Sequence, residues 1–494
     1  MQTRVIIRAN RYHDSVSLMA ISQQVQALPG VQAAVVAMGT AMNKELLAGV
    51  GLLTPEASAA GPDDLILALG AESRCAADAA LAEAERLLGQ RGRTSTGSLR
   101  GDAPAPRTVR AATVADPELK LALISVPGPF AAREARCALE QGLDVMLYSD
   151  NVPLEAEVAL KRLALAKGRL LMGPDCGTAI IDGVGLGFAN AVARGPVGIV
   201  AASGTGAQEV SCLIDRLGSG ISQLIGVGGR DLSDAVGGLM MLEGLRRLQA
   251  DPATKVIVLI SKPPAPAVAG RVLAAVREGR KPAVVCFLGG PGAPSLDEAA
   301  LQAVALATGQ PASLPQAAAA LNLTPGRRWV RGLFAGGTLC DQALAILEQA
   351  LGPVACNIHP VPERRQGAGH RLTDLGDDLF TRGRPHPMID MTLRRLRLLE
   401  EAADPEVAAI LLDIVLGYGA HSDPAGALAD AIREAGAHGV AVVASVTGTA
   451  ADPQGYDHQV RRLQAAGAHV FPTARLAALA VAQAVQRLEG RGQA

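Results

Sequence analysis

Aromatic side chains are nearly missing from this sequence: it holds one Trp, four Tyr and six Phe in 494 residues. Proteins that stack unpaired bases or sugar rings lean on aromatic platforms, so the shortage argues against both kinds of partner. An excess of charge is missing as well. The formal net charge is −1, which gives no electrostatic case for a nucleic-acid or membrane partner. No apolar run is long enough to cross a bilayer, and the opening stretch MQTRVIIRANRYHDS has no long apolar core, so a cytoplasmic location is the expectation. Cysteine pairs are absent too. Cys75, Cys137, Cys176, Cys212, Cys286, Cys340 and Cys356 are scattered without a CxxC, and they read as buried thiols and neither a disulfide framework nor a zinc site. No GxxxxGK[ST] follows a strand, which excludes a P-loop.

What is present is apolar and small: 49% of the residues are hydrophobic and 55 are glycine. Short β-branched runs alternate with Ala/Leu-rich helical stretches, the pattern of parallel sheets with crossover helices. The length suggests roughly three to four domains. Residues 1–90 read as a small α+β module, and 91–114, rich in Gly, Pro, Ser, Thr and Arg, as an exposed linker. Residues 115–194 carry the strands KLALIS, DVMLYS and RLLM around two helices, a Rossmann-like block. Residues 195–310 and 328–494 repeat one logic, a strand ending in a small-residue loop that opens a helix, then further strand–helix units. They read as two flavodoxin-like sheets related by pseudo-symmetry. The fold class is therefore α/β with several parallel-sheet domains.

Ligands of open parallel sheets sit beyond the carboxyl ends of the strands, which directs attention to three places. Ser203-Gly204-Thr205-Gly206 follows the strand VGIVA and opens a helix. Glycines remove the Cβ atoms that would keep an anion away, free N–H groups point outward and the helix dipole adds a favourable field. The same chemistry recurs at Gly336-Gly337-Thr338 after VRGLF, so both loops are candidate phosphate cradles. Asp175, in the turn Gly173-Pro174-Asp175-Cys176, can fix backbone or a substrate N–H; a nucleophilic Cys176 is disfavoured because no histidine lies near it in sequence. Finally, Asp374-Leu375-Gly376-Asp377-Asp378 and Gly383-Arg384-Pro385-His386 concentrate charge in the stretch 359–390, read as a loop. Arg384 can fork a carboxylate or phosphate and His386 can donate a proton or hydrogen bond, although from the stretch alone a solvated surface loop is slightly the better reading.

These motifs carry a resemblance. GPVGIVAASGTGAQE, GVGGRDL and MGPDCG resemble the phosphate-binding strand–helix junction and loops of the succinyl-CoA synthetase α subunit, and the last block resembles the carboxy-terminal ligase domain of the β subunit. More specifically, YHDSVSLM, MGTAMNKELL, SDNVPLE, GPDCGT, ASGTG, GGRDLS, SKPPA, AGGTL, DLGDD, GRPHPMID and TGTAADPQ are similar to the FdrA family, over residues 12 to 454. The ligase pattern is broken in three ways. The stretch Phe287–Ser295, which corresponds to the ligase's phosphohistidine loop, has no histidine; no ATP-grasp domain is found; and the glycine-rich start of the CoA-binding domain is missing.

The FdrA resemblance implies the large subunit of an oxamate carbamoyltransferase, which works with smaller partner subunits in purine breakdown and interconverts oxalurate plus phosphate with oxamate plus carbamoyl phosphate. On that reading the two glycine loops hold phosphate, Arg384 a substrate carboxylate or phosphate oxygen, and Asp175 and His386 orient nitrogen or oxygen groups. No cofactor is implied beyond the substrates, and a hetero-oligomer is expected. Two alternatives stay open: a CoA-ligase component, using CoA, whose nucleotide-binding half is a separate protein, and a non-catalytic subunit whose loops only bind anions.

Overall fold

The apolar runs pair into four sheets among the residues described by this computed structural model, 2–11, 13, 15–26, 28–94, 106–290, 292–314, 321–358, 369–381 and 385–492. The chain divides into two compact units, the first built on residues up to Pro106.

In the first unit the elements run β1 (Gln2–Arg8), α1 (Ser15–Gln26), β2 (Val31–Met38), α2 (Ala41–Gly49), α3 (Pro55–Ala59), β3 (Leu65–Ala71) and α4 (Arg74–Thr94). β3 lies between β1 and β2 and is antiparallel to both. Every residue of β3 is apolar or glycine because both of its faces are covered. Leu65, Leu67 and Leu69 pack on Leu18, Ile21 and Val25 of α1, while Ile66 and Ala68 pack on Leu47, Leu52 and Ala57. The period of two along a strand divides the residues this way.

The second unit opens with α5 (Val109–Ala115) and a three-stranded parallel sheet: β4 (Leu121–Ile124), α6 (Gly128–Glu140), β5 (Asp144–Leu147), α7 (Leu154–Ala166) and β6 (Leu171–Met172). A hairpin that the sequence did not announce, β7 (Thr178–Ile181) and β8 (Val184–Gly187), joins the following sheet antiparallel to its neighbour. That sheet is built from β9 (Arg194–Ala201), α8 (Gly204–Arg216), β10 (Ile221–Gly226), α9 (Leu239–Ala250), β11 (Val256–Ser261), α10 (Pro266–Glu278), β12 (Ala283–Phe287) and α11 (Leu296–Thr308). The last sheet takes β13 (Trp329–Phe334), α12 (Gly337–Leu351), β14 (Ala355–Cys356), β15 (Arg371–Asp374), α13 (Asp378–Thr381), α14 (Thr392–Ala402), β16 (Val407–Val415), α15 (Pro424–Ala437), β17 (Ala441–Thr447), α16 (Tyr456–Ala465), β18 (His469–Phe471) and α17 (Ala474–Gly492).

The orders β10-β9-β11-β12 and β15-β13-β16-β17-β18 are both flavodoxin-like, the second strand beside the first and the rest on its other side. Each sheet starts with the strand whose carboxyl end was singled out above. The stretch read as a loop, 359–390, contains β15, which pairs between β14 and β13. β16, buried at all nine residues, shows why such strands read as continuous apolar runs: both faces are packed. One apolar cluster runs from Val197 and Ile199 of β9 through Val210 of α8 and Leu339 and Leu344 of α12 to Leu411 of β16, joining the two flavodoxin-like sheets.

The first parallel sheet is tied to the next by buried charge. Lys161 of α7 donates to Glu157 Oε1 (2.8 Å), Asp231 Oδ1 (2.8 Å) and the Val227 carbonyl (3.0 Å), with all three side chains essentially sealed from water. Asp231 in turn caps α9 by accepting from the Met240 and Met241 amides. Lys161→Met takes the cation from buried Asp231 and leaves Glu157 only the half-exposed Arg230 at 2.8 Å, and it is expected to lower stability by roughly 3–5 kcal/mol. Urea unfolding followed by circular dichroism checks this; a loss under about 1 kcal/mol, the range of surface pairs, would refute it.

Candidate functional site

The loops at the carboxyl ends of β9 and β13 bring two helix tips together. Ser203 is the N-cap of α8, in extended backbone, and its Oγ accepts from the Gly206 amide at 3.0 Å. Gly336 caps α12 without any side-chain hydrogen bond. Across the gap, Ser203 Oγ and Thr338 Oγ1 are hydrogen-bonded at 2.7 Å. A Cβ on Gly336 would stand 2.8 to 2.9 Å from Thr205 Cγ2, Cβ and Oγ1, so only glycine permits this approach. First-turn amides of a helix have no acceptor within it, which leaves Gly204 and Thr205 on one tip and Gly337 and Thr338 on the other presenting N–H groups. Gly204 is exposed, and it is where this pair of tips meets solvent.

Not every residue proposed for the cradle plays the part first given to it. The amides of Ala335 and Gly336 donate to the two carboxylate oxygens of Asp413, each at 2.8 Å, so Gly336 offers clearance and not a donor. Asp413 also accepts from Arg394 Nη2 at 2.9 Å, and the same nitrogen bonds the Leu333 carbonyl at 2.9 Å. Both side chains are buried. Desolvation raises the Asp413 carboxyl while Arg394 and the two amides pull it back.

Two charged groups to which the sequence reading gave no role stand at the tip of α12. Asp374, the last residue of β15, places Oδ2 2.5 Å from where a Gly337 Cβ would be, and Lys262 Nζ lies 3.7 Å from the same point. Asp374 is held from both sides: Asn357 bonds its backbone N–H and carbonyl at 2.8 and 2.9 Å, and its Oδ1 accepts from the Gly376 amide at 2.9 Å. Burial pushes the Asp374 carboxyl up to about 7, against the pull of the Gly376 amide and Lys262. Lys262 directly follows the wholly buried strand VIVLIS. Its position at the carboxyl end of a buried parallel strand was the available signal.

His386 belongs to this neighbourhood. Its Nε2 lies 2.8 Å and Asp374 Oδ1 3.1 Å from the Cβ position of Gly376, and its ring tilts over Phe188 at 5.8 Å. Nδ1 accepts from the Met388 amide at 3.2 Å, which puts the proton of the neutral ring on Nε2. Burial and then Arg394 depress its pKa to about 4, so the ring stays neutral and a donor at ordinary pH. Asp175 sits in left-handed backbone (φ 56°) with its side chain open to solvent. Surrounding protein and then the charges of Asp150 and Asp378 raise its carboxyl, with Arg230 opposing; solvent contact weakens that shift. The neighbouring Thr178 hydroxyl reaches within 3.4 Å of the Gly204 Cβ position, linking this turn to the α8 tip. Cys176 is buried and its thiol is pushed up to about 12, which leaves no nucleophilic thiolate. Arg384 lies outside the described residues.

Comparison with known proteins agrees with this architecture. Three family models match: "AllF, heavy metal-associated domain" over residues 1–104, "CoA binding domain" over 193–289 and "CoA-ligase" over 333–485. The chain is 47% identical over 496 residues to the Escherichia coli K12 "Uncharacterized protein YahF", covering 94% of this chain and 95% of that one. It is 31% identical over 149 residues to the succinate–CoA ligase [ADP-forming] α subunit of Methanothermobacter thermautotrophicus, covering 29% of this chain and 49% of the subunit. A looser likeness in solved structures is to the "Ca. Korarchaeum cryptofilum dinucleotide forming Acetyl-coenzyme A synthetase 1", with 18% identity, 80% and 89% coverage and a TM-score of 0.34.

The groups these names imply can be tested on the residues. Pyrophosphate, as in CoA, binds open helix tips. The tip of α6 carries Pro129, which lacks an N–H, and its Gly128 faces the carbonyl oxygens of Asp150 and Asn151. The α9 amides are taken by Asp231, α10 begins with Pro266 and α11 is closed by a Ser295/Glu298 capping box. Within this set the α9 and α11 tips are taken, while α8 keeps free amides and α10 has no side-chain cap, its proline removing only one donor, so a CoA pyrophosphate does not fit α9 or α11. In the first unit the sequence provides one cysteine, Cys75, and one histidine, His13, too few thiolate and imidazole donors for a metal site built on them. Among the described residues no His, Cys, Asp or Glu cluster suits a metal, and no helix is long and apolar enough to cross a membrane.

The close approach of the tips yields a test. Gly336→Ala is expected to cost about 1–3 kcal/mol by overpacking against Thr205, and Thr205→Ser in the same chain to recover part of it. Additive losses in the double-mutant cycle would mean that these residues do not touch.

Proposed function

This chain belongs to the same family as YahF, with the domains of succinyl-CoA-synthetase-like ligases, and from that premise we propose that the meeting tips of α8 and α12 hold the phosphate of a small acyl phosphate during direct transfer of its acyl group. The observation that carries this reading is the Ser203–Thr338 contact between two open helix tips, with no histidine anywhere on Phe287–Ser295 to carry phosphate covalently. A tip pair with Lys262 beside it stabilises the charge of a phosphate group without a covalent intermediate.

The acyl phosphate that fits best is carbamoyl phosphate, formed from oxalurate and phosphate with release of oxamate, the chain acting as the large subunit of an oxamate carbamoyltransferase with smaller partners. Carbamoyl transfer needs a phosphate cradle, a donor on the carbamoyl oxygen and a placed nucleophile. Ser203, Gly204, Thr205, Gly337 and Thr338 supply the first, and the Nε2–H of His386 the second. Gly206, whose amide goes to Ser203, and Gly336, whose amide goes to Asp413, provide the close packing that shapes the cradle. Asp175 and Arg384 are the groups that would orient the acceptor. A second reading, a component of an NDP-forming acyl-CoA synthetase with a separate nucleotide-binding subunit, is favoured by the CoA-binding and CoA-ligase family models.

The assembly purified with the products of neighbouring genes is expected to make carbamoyl phosphate from oxalurate and phosphate. Thr338→Val is expected to lower kcat about 10²–10³-fold, the usual effect of losing one donor to a developing anion. ADP release that requires CoA and a carboxylic acid, with no carbamoyl phosphate, would replace the first reading by the second.

A further inference from the structure

Asp374 is out of place in an anion cradle. Its carboxylate stands against the tip of α12, where a phosphate would be negative as well, and two adjacent anions in a buried site resist full ionisation. Its Oδ1 is used by the Gly376 amide, whereas Oδ2 has no hydrogen-bond partner among the described residues although the side chain is more than nine-tenths buried. That unpartnered oxygen is the one that points at Gly337.

We infer that Asp374 exchanges a proton with the reacting pair, taking it up as phosphate is seated or formed beside α12 and giving it back as phosphate is consumed. The inference deepens the acyl-phosphate reading and rests on it for the reaction, though not for the anion seat. In the carbamoyl case the acceptor nitrogen forms a bond to the carbamoyl carbon, and the bond from that carbon to the phosphate oxygen breaks. The bonding pair leaves with the phosphate, and the nitrogen's proton passes to Asp374 Oδ2. In reverse, a phosphate oxygen attacks the carbamoyl carbon, and protonated Asp374 returns the proton to the departing nitrogen. The proton thus arrives on Asp374 as negative charge grows on the phosphate next to it.

The surroundings suit a group that must exist in both states. Lys262, from the end of β11, favours the carboxylate; Asp413 from β16 and Asp377 on its own loop favour the acid. The Gly376 amide stabilises the carboxylate, while Cys340 of α12 is a buried thiol whose ionisation Asp374 opposes. His386 faces the same turn as a neutral donor. The balance leaves Asp374 at about 7, where a single carboxyl can serve as base in one direction and acid in the other.

Calorimetry of inorganic phosphate binding to the full chain at pH 8, in two buffers of different ionisation enthalpy, counts the protons taken up. The wild-type chain is expected to take up close to one proton more per phosphate than Asp374→Asn. The asparagine keeps the Oδ1 that accepts from Gly376, and an unchanged thermal midpoint verifies the fold. Equal uptake by the two chains would overturn the inference. In the purified assembly, Asp374→Asn is expected to lower kcat about 10²–10⁴-fold with KM for carbamoyl phosphate little changed, and Asp374→Glu to recover part of it. A variant that turns over at the wild-type rate would also overturn the inference. An assembly that makes no carbamoyl phosphate, while the proton difference persists, would refute the carbamoyl reading and leave Asp374 as the proton-exchanging group of the anion seat.

Discussion

Two helix N-termini pointing at each other is an arrangement that electrostatics opposes. Each tip carries roughly half a positive charge, and here they approach until Ser203 and Thr338 share a hydrogen bond, with Lys262 close by. Such a meeting persists only if negative charge is supplied. Asp413 provides part of it by binding the Ala335 and Gly336 amides, and Asp374 provides more at Gly337. On the proposed reading, bound phosphate meets the rest of the demand. The glycines at 204, 206, 336 and 337, the buried Arg394 and the apolar layer between the two flavodoxin-like sheets all serve to hold this unfavourable contact in place.

Much of this was legible in the sequence because it is local. A strand that ends in Ser-Gly-Thr-Gly or Gly-Gly-Thr announces a helix tip, and the alternation of apolar runs with Ala/Leu stretches announces parallel sheets. Other features depend on what crosses from one segment to another, which no local pattern shows. β15 was hidden because a four-residue strand, Arg371–Asp374, has only Leu372 as an apolar side chain and takes its stability from β13 and β14 on either side. Lys262 and Asp374 lie more than a hundred residues apart, and each alone looks like a solvated charge. Gly336 was expected to bind phosphate because a glycine at a helix tip usually frees an amide; Asp413, far along the chain, had already claimed that amide. His386 was noted for its chemistry, but its tautomer follows from the Met388 amide and could not be read from residue type.

The relation to CoA ligases gives the fold a chemical history without fixing the reaction. In the ligase plan a histidine carries phosphate between distant sites, so the tips only need to receive it. A chain that keeps the tips but has no histidine on Phe287–Ser295 has, on the proposed reading, no covalent carrier there and two tips that can still receive phosphate. Chemistry that remains possible must bring the acyl group and the phosphate together at the cradle itself. On the proposed reading that requirement favours small substrates.

The two halves of the cradle are alike in topology but unequal in charge, and the inequality assigns them different work. The α8 tip has a hydroxyl cap, no titratable side chain in its first turn and an opening to solvent at Gly204. The α12 tip has a glycine cap, with two carboxylates and a lysine around it. A neutral, open tip suits entry and loose attraction of an anion. A tip where Lys262 and Asp374 oppose each other near neutral pH suits a step in which charge moves, because the local field can be rebalanced by a single proton. Both tips follow the first strand of a flavodoxin-like order; the departure from symmetry at residues 262, 374 and 413 gives the α12 tip titratable groups that the α8 tip lacks.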